Sequence, residues 1–425
     1  MNIGILGLGT VGGGLVNILN DNIDEIKNRT AKDIHINQIS VRDLSKKRLC
    51  NTNDIEITTD SFAVVNNPDN EVIIELIGGT TLAKELVEQA IKNGKHIVTA
   101  NKALIATYGN ELINLAKEYK VQLLFEASVA GGIPILNVLK NSLSANKIEW
   151  LVGIINGTGN FILTEMKDKG RQFDDVLSEA QSLGYAEADP TFDIEGIDAA
   201  HKLSILSAMS FGTKIDFDNV WTEGISEIEP LDVSLSNELG YTIKHLGIAK
   251  NQNGKVEMRV HPTLIPKSRL LANVDGVMNA VVVKGDFVGP TLYYGAGAGS
   301  GPTASAVMAD VINLLEGQTS EALGWKNLRE VNYQSIENVQ STHYLRLSVS
   351  DESGVLAQIT KILADYNINI EAVIQKEPDT HEKNVMIAII TNNSLYQDIK
   401  EVISKIEDYA FNKAKIKHIF IETLD

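Results

Sequence analysis

The first dozen residues constrain the fold most. Residues 2–7, NIGILG, are a short apolar, β-branched run that stops at glycine, and Gly7-Leu8-Gly9-Thr10-Val11-Gly12 follows at once. A helix-like pattern begins at residue 15. Strand, G-x-G-x-x-G, helix is the context that turns a weak motif into a dinucleotide site. The glycines permit a tight turn and bring a pyrophosphate to a helix N-terminus, where unpaired N–H groups and the dipole favour an anion. Such a start commits the chain to an α/β fold with a parallel sheet.

The following segments fit that commitment. Strand patterns recur at residues 35–41, 71–77, 96–100 and 122–126, with helical patterns at 84–93 and 108–120 between them. The second strand ends in Arg42-Asp43, where an acid normally takes the ribose 2′-hydroxyl. An arginine there, with Lys46, Lys47 and Arg48 beyond it, suits a 2′-phosphate; a solvated basic loop is the competing reading. Thr99 lies near the end of the 96–100 strand and Lys102 follows it, at the carboxyl end where open α/β sheets bind ligands. Glu126 precedes the glycine turn SVAGGIP, whose carbonyls could hold a hard cation. An ordinary turn is the stronger reading from the residues.

From about residue 135 the pattern changes to an α+β unit inserted into the first domain, with strands at 147–155, 256–264, 276–284 and 287–294. A second glycine-rich turn, 295–301, leads into Pro302 and a helix at 303–316, which is expected to return to the nucleotide. The expected domains are 1–134, completed by 300–317; 135–299 for substrate and dimerisation; a polar linker at 318–341; and 342–425. The last unit reads β-α-β-β-α-β, a ferredoxin-like sandwich without a catalytic constellation.

The stretch 184–202, GYAEADPTFDIEGIDAAHK, carries Glu187, Asp189, Asp193, Asp198 and Lys202. A helix is expected from residue 194, capped by Asp193. Asp198 and Lys202 are then i,i+4 on one face, acid first. That pair is either a solvated ion pair or a lysine held ready to give or take a proton.

A net charge of -17 argues against nucleic acid and anionic membrane as partners. The single cysteine, Cys50, rules out an internal disulfide and fits a reducing compartment, so a cytoplasmic enzyme is expected.

Five motifs together, GLGTVG, TANKALIA at 99–106, EASVAGGIP at 126–134, NGTGNFI from 156 and the long 184–202 stretch, resemble bacterial homoserine dehydrogenases over essentially the whole chain. Residues 342–425 resemble an ACT domain. The resemblance implies reversible NAD(P)-dependent interconversion of L-homoserine and L-aspartate 4-semialdehyde, in threonine, methionine and isoleucine synthesis. It implies that Lys202 donates the proton, that Glu187 and Asp198 hold the substrate's amino end, and that Lys102 lies between cofactor and substrate. Asp193, Tyr185, Gly157 and Thr158 would line the pocket. Gly7, Gly9, Thr10, Val11, Gly12, Arg42, Thr99, Lys102, Gly184 and Gly299 would form the cofactor site, with NADP(H) preferred and NAD(H) possible. Glu126, Val129, Gly131 and Ile133 would hold a monovalent cation, sodium. A homodimer or homotetramer with L-threonine as effector is expected. The competing readings are another ACT-bearing dehydrogenase and a non-catalytic nucleotide- and amino-acid-sensing regulator.

Overall fold

The computed structural model describes residues 1–48, 50–252, 254–376 and 384–424. Six parallel strands form the first sheet: β1 (Asn2–Leu6), β2 (His35–Ser40), β3 (Glu56–Thr58), β4 (Val72–Glu75), β5 (His96–Thr99) and β6 (Leu123–Leu124), in the order β3-β2-β1-β4-β5-β6. This is the doubly wound dinucleotide-binding order, with its switch point between β1 and β4. Ile3, Ile5, Ile73, Ile74 and Ile97 are fully buried, because helices cover both faces and leave no solvent side for polar residues to take. The first helix, Thr10–Thr30, is far longer than the short apolar pattern suggested. The helix Ser300–Leu315 packs on it and buries Ala304, Val307 and Val311 in the same core.

The middle of the chain contributes strands Ile148–Ile154, Tyr241–Gln252, Lys255–Pro266, Met278–Gly285 and Gly289–Ala296. Tyr241–Gln252 is the central one and was not read in the sequence. It is buried without a break from Thr242 to Ala249, so it shows no alternation for a periodicity argument to catch. The helix expected from residue 194 starts instead at Ile197. Gly196, at φ 81°, separates it from the short helix Thr191–Ile194 and takes the capping position expected of Asp193.

The C-terminal strands Gln340–Ser350, Ile370–Lys376, Asn384–Thr391 and Lys417–Ile421 and the helices Val355–Asp365 and Tyr396–Glu407 have the ferredoxin-like connection. Residues 377–383 and 425 of this unit lie outside the described residues. Its sheet is continuous with the middle one, because Lys417–Ile421 pairs in parallel with Lys255–Pro266 at Thr263–Phe420 and Leu264–Ile421. The sheet face that a lone ferredoxin-like unit leaves open is covered within the chain: Tyr344, Ile390, Ile419 and Ile421 pack with Ile162, Phe173 and Val233. The segment expected as a linker, 318–341, is strapped to the middle domain. The Trp325 indole donates to the Met209 carbonyl at 2.6 Å, and Asn332–Tyr333 adds a short strand to Lys255–Val256.

Candidate active site

Four segments converge at the carboxyl edge of the nucleotide sheet. Asn101 caps the helix Lys102–Glu118: its side-chain oxygen accepts from the Leu104 amide, and its nitrogen donates to the Gly79 carbonyl at 2.7 Å. Lys102 is thereby fixed in the first helical turn just past β5. Asp198 and Lys202 come one turn apart from the helix Ile197–Phe211. Asn156 ends the strand Ile148–Ile154 and caps the helix Gly157–Lys169 by accepting from the Gly159 amide.

Asp198 is the hub. One carboxylate oxygen lies 2.7 Å from Lys202 Nζ, and the other lies 3.1 Å from Lys102 Nζ. Asn156 Nδ2 donates to Asp198 at 2.9 Å and to Asp193 at 2.8 Å, so a single amide aligns both acids. Lys202 donates a second hydrogen bond to the Ile155 carbonyl at 2.7 Å. Burial opposes ionisation of Asp198, but the two ammonium groups outweigh it and hold the carboxyl well below its usual range. Burial acts the other way on Lys202 and lowers its pKa; Asp198 offsets this in part, and Lys102 repels. A lysine depressed by burial and steadied by one shared carboxylate can deliver or accept a proton near neutral pH more readily than a solvated one.

Around this cluster the expected residues fall into two groups. Asp193, Gly157 and Thr158 adjoin it, and burial raises the Asp193 carboxyl. Thr158 Oγ1 donates to the Tyr185 carbonyl at 2.6 Å, and the Tyr185 ring meets Phe161 edge-on at 5.1 Å, which hangs the 184–190 turn on that helix. Gly184 and Glu187 lie exposed on this turn, and Glu187 forms no ion pair with either lysine. Asp198, expected to meet a substrate amino group, is engaged here by the two lysines. Asn156 was missed as a site residue; its one signal was an N-capping residue between a strand end and Gly-Thr-Gly. His201 adjoins Lys202 in sequence but is packed between Phe192 and Phe217, and burial lowers its pKa, so it stays neutral.

The glycine turn has the shape a pyrophosphate requires. Gly7, at φ 100°, leaves no room for a Cβ, which would come 2.8 Å from the Leu76 carbonyl oxygen. A Cβ on Gly12 would overlap the Gly7 carbonyl, whereas Gly9 faces open space. Thr10 and Val11 begin the helix there, and Ser300 Oγ, next to Gly299, donates to the Thr10 carbonyl at 2.8 Å. Arg42 is exposed, while Arg48 donates to the Leu8 carbonyl at 3.3 Å and to the Asp43 carbonyl at 2.6 Å. The Asp43 carboxylate accepts from the amide and the hydroxyl of Ser45. Thr99 is fully buried and its hydroxyl donates to Glu75 at 2.6 Å, which fixes the end of β5.

Among the described residues no three His, Cys, Asp or Glu side chains gather as for a metal. At the 126–134 turn, the buried Glu126 carboxylate accepts from the Leu136 amide at 2.9 Å and the Asn137 amide at 2.6 Å. Burial and then Asp310 push it up to about 8. The Ile133 carbonyl accepts from the Ile135 amide, whereas those of Val129 and Gly131 accept no hydrogen bond from the described residues.

Residues 134–312 match the family described as homoserine dehydrogenase, 7–126 its NAD-binding domain, and 343–409 the ACT domain. A homoserine dehydrogenase of Pseudomonas aeruginosa is 51% identical over all of this chain and 99% of its own. The crystal structure of a homoserine dehydrogenase from Thiobacillus denitrificans superposes with a TM-score of 0.95 at 50% identity, covering 100% of this chain and 99% of that one. A hyperthermophilic archaeal homoserine dehydrogenase in complex with NADPH gives a TM-score of 0.62 at 29% identity, over 77% of this chain and 99% of that one.

Proposed function

Because the chain belongs to the homoserine dehydrogenase family, we propose that Lys202 is its proton donor in the reversible NAD(P)H-dependent reduction of L-aspartate 4-semialdehyde to L-homoserine. The observation that carries this reading is the Asp198 carboxylate shared by Lys202 and Lys102 beside the nucleotide sheet. Bound NAD(P)H supplies the hydride to the aldehyde carbon. The carbonyl oxygen then takes the electron pair of the broken π bond. The Lys202 ammonium stabilises that charge and transfers one proton to it, ending as a neutral amine. In the reverse direction the neutral amine takes the hydroxyl proton. Lys102 adds a second positive charge between cofactor and substrate. Asn156 and Asp193 fix the position of Asp198. Glu187, exposed on the turn tethered by Thr158 and Tyr185 and without an ion pair among the described residues, holds the α-ammonium.

NADP(H) is the preferred nucleotide, supported by exposed Arg42 just past β2, by Arg48 against Leu8 of the glycine turn and by an Asp43 carboxylate engaged with Ser45. Sodium is held by Glu126 with the carbonyls of Val129, Gly131 and Ile133; a buried carboxyl pushed up to about 8 gains from a neighbouring cation. The enzyme serves threonine, methionine and isoleucine synthesis in the cytoplasm, and no helix among the described residues is long and apolar enough to cross a membrane. It assembles as a homodimer or homotetramer, for which exposed Phe287, Leu270 and Tyr294 and the unpaired edge of Ile370–Lys376 offer surface. L-threonine acts through the ACT domain's Asp351–Gly354 loop, which joins strand Gln340–Ser350 to helix Val355–Asp365.

The test follows reduced-nicotinamide absorbance with L-homoserine and each cofactor. Lys202→Ala should lose roughly 10²–10⁴-fold in kcat while still binding cofactor. Near-normal turnover removes Lys202 from the mechanism.

A further inference from the structure

Between the helix that carries Asp198 and the last ACT strand lies a cleft of about 530 Å³. That is within the roughly 300–1,000 Å³ of small-molecule sites. Glu195, Ile197 and Glu223 form its middle-domain side; Tyr396, Lys415 and Lys417 form the other. Glu223 and Lys417 are both half-buried, yet neither forms a hydrogen bond or ion pair through its side chain with a described residue. Burial pushes the Glu223 carboxyl up, and Lys417 draws it back. The Tyr396 phenol is pushed up to about 12 by burial and then by Glu223, so it remains a neutral hydroxyl. Lys415 pairs with the exposed Glu227 at 3.6 Å.

An unpaired acid and an unpaired base on opposite sides of a polar cleft match a small zwitterion. We infer that this seam is an effector site for a free L-α-amino acid, separate from the catalytic centre and from the Asp351–Gly354 loop. Glu223 and the Tyr396 hydroxyl take the α-ammonium, Lys417 takes the α-carboxylate, and the ligand side chain lies along Ile197. The path to the active site is short. The Glu223 carbonyl is hydrogen-bonded to His245 Nε2 at 3.0 Å. His245 packs against Gly196 so closely that a Cβ there would come 3.2 Å from the ring. Gly196 sets the start of the helix whose first turn bears Asp198. Ser226, also lining the cleft, donates to Glu195 at 3.0 Å. A ligand that shifts Glu223 therefore acts on the helix start that positions Asp198.

The test titrates the standard L-amino acids singly into the full-length protein by calorimetry, with and without saturating L-homoserine. At least one should bind without competing with homoserine and should alter homoserine turnover. Glu223→Gln and Lys417→Gln should each weaken it about tenfold or more, the loss expected for one charged hydrogen bond. Basal turnover should be unchanged in both variants, and Gly354→Ala should retain binding. The inference is overturned if no amino acid binds or if binding competes with homoserine. It is equally overturned if binding leaves turnover unchanged, survives both cleft substitutions, or is lost only in the loop variant. The binding measurements need no catalysis, so their failure is distinct from a failure of the catalytic reading.

Discussion

Asp198→Asn separates the two roles open to this carboxylate, because it removes the charge while keeping the side chain's size. At 2.7 Å and an effective dielectric near 20, the Asp198–Lys202 attraction is about 6 kcal/mol in gross terms. At about 1.4 kcal/mol per pKa unit, that sets an upper bound of roughly four units. Shifts caused by one neighbouring opposite charge run at about one to three units, and Lys102 already shares this carboxylate. The Lys202 pKa should therefore fall by about one to three units, since burial and Lys102 then act on it unopposed. The sign differs with reaction direction. Homoserine oxidation needs the neutral amine, so its rise with pH should begin one to three units lower. Aldehyde reduction needs the ammonium, so it should be lost at correspondingly lower pH. The assay is the pH dependence of kcat in both directions. If Asp198 served only to hold the substrate's amino group, KM would rise and the inflection would stay in place. That result refutes the assignment of Lys202 and Asp198 as a coupled pair.

Three further outcomes follow from the geometry. Gly9→Ala should leave thermal stability without cofactor nearly unchanged but raise the cofactor KM, whereas Gly12→Ala should cost about 1–3 kcal/mol of stability because its Cβ overlaps the Gly7 carbonyl. Arg42→Ala should raise the KM for NADP(H) alone, while Arg48→Ala, which removes a donor to the glycine-turn carbonyl of Leu8, should raise it for both cofactors; equal losses from Arg42→Ala would refute its role in reading the phosphate. Replacing sodium by a bulky organic cation at constant ionic strength should lower the melting temperature more at pH about 9 than at about 6, because Glu126, pushed up to about 8, presents its ionised form to the cation only as pH rises; an unchanged difference would count against the sodium site.

The nucleotide domain was legible because each of its signals is local. The glycine spacing and short apolar runs dictate the turn and the strands without knowledge of the rest of the chain. Lys102 and the Asp198–Lys202 spacing were equally legible as residue types at suggestive positions. What joins them was not. Lys102 and Asp198 are far apart in sequence, and the amide that aligns Asp198 with Asp193 belongs to Asn156, on a third element. Strand Tyr241–Gln252 escaped for a related reason: a strand buried on both faces has no period to read. Asp193 misled because a capping residue before an apolar run is a good helix start, yet Gly196, with its left-handed backbone, breaks the helix there.

The ACT unit is a graver departure, since the sequence suggested a module hung on a linker. Arg259 is buried with Glu422 as its partner across the shared sheet, and Arg346 reaches the buried Asp232 at 2.6 Å. Breaking a buried pair by withdrawing one partner costs about 3–5 kcal/mol. Allosteric coupling typically amounts to about 1–3 kcal/mol. An effector of that strength cannot detach the unit or swing it as a lever, because the separation would cost more than the ligand's differential binding supplies. An effector at the proposed site would instead act through small displacements along a seam that stays closed. The segment best placed to register them is the 191–198 turn, which touches the seam through Glu195 and Ile197 and ends at Asp198. The proposed regulation and the proposed proton transfer would then meet at one helix start, where a small movement of the Asp198 carboxylate changes the charge balance of two lysines.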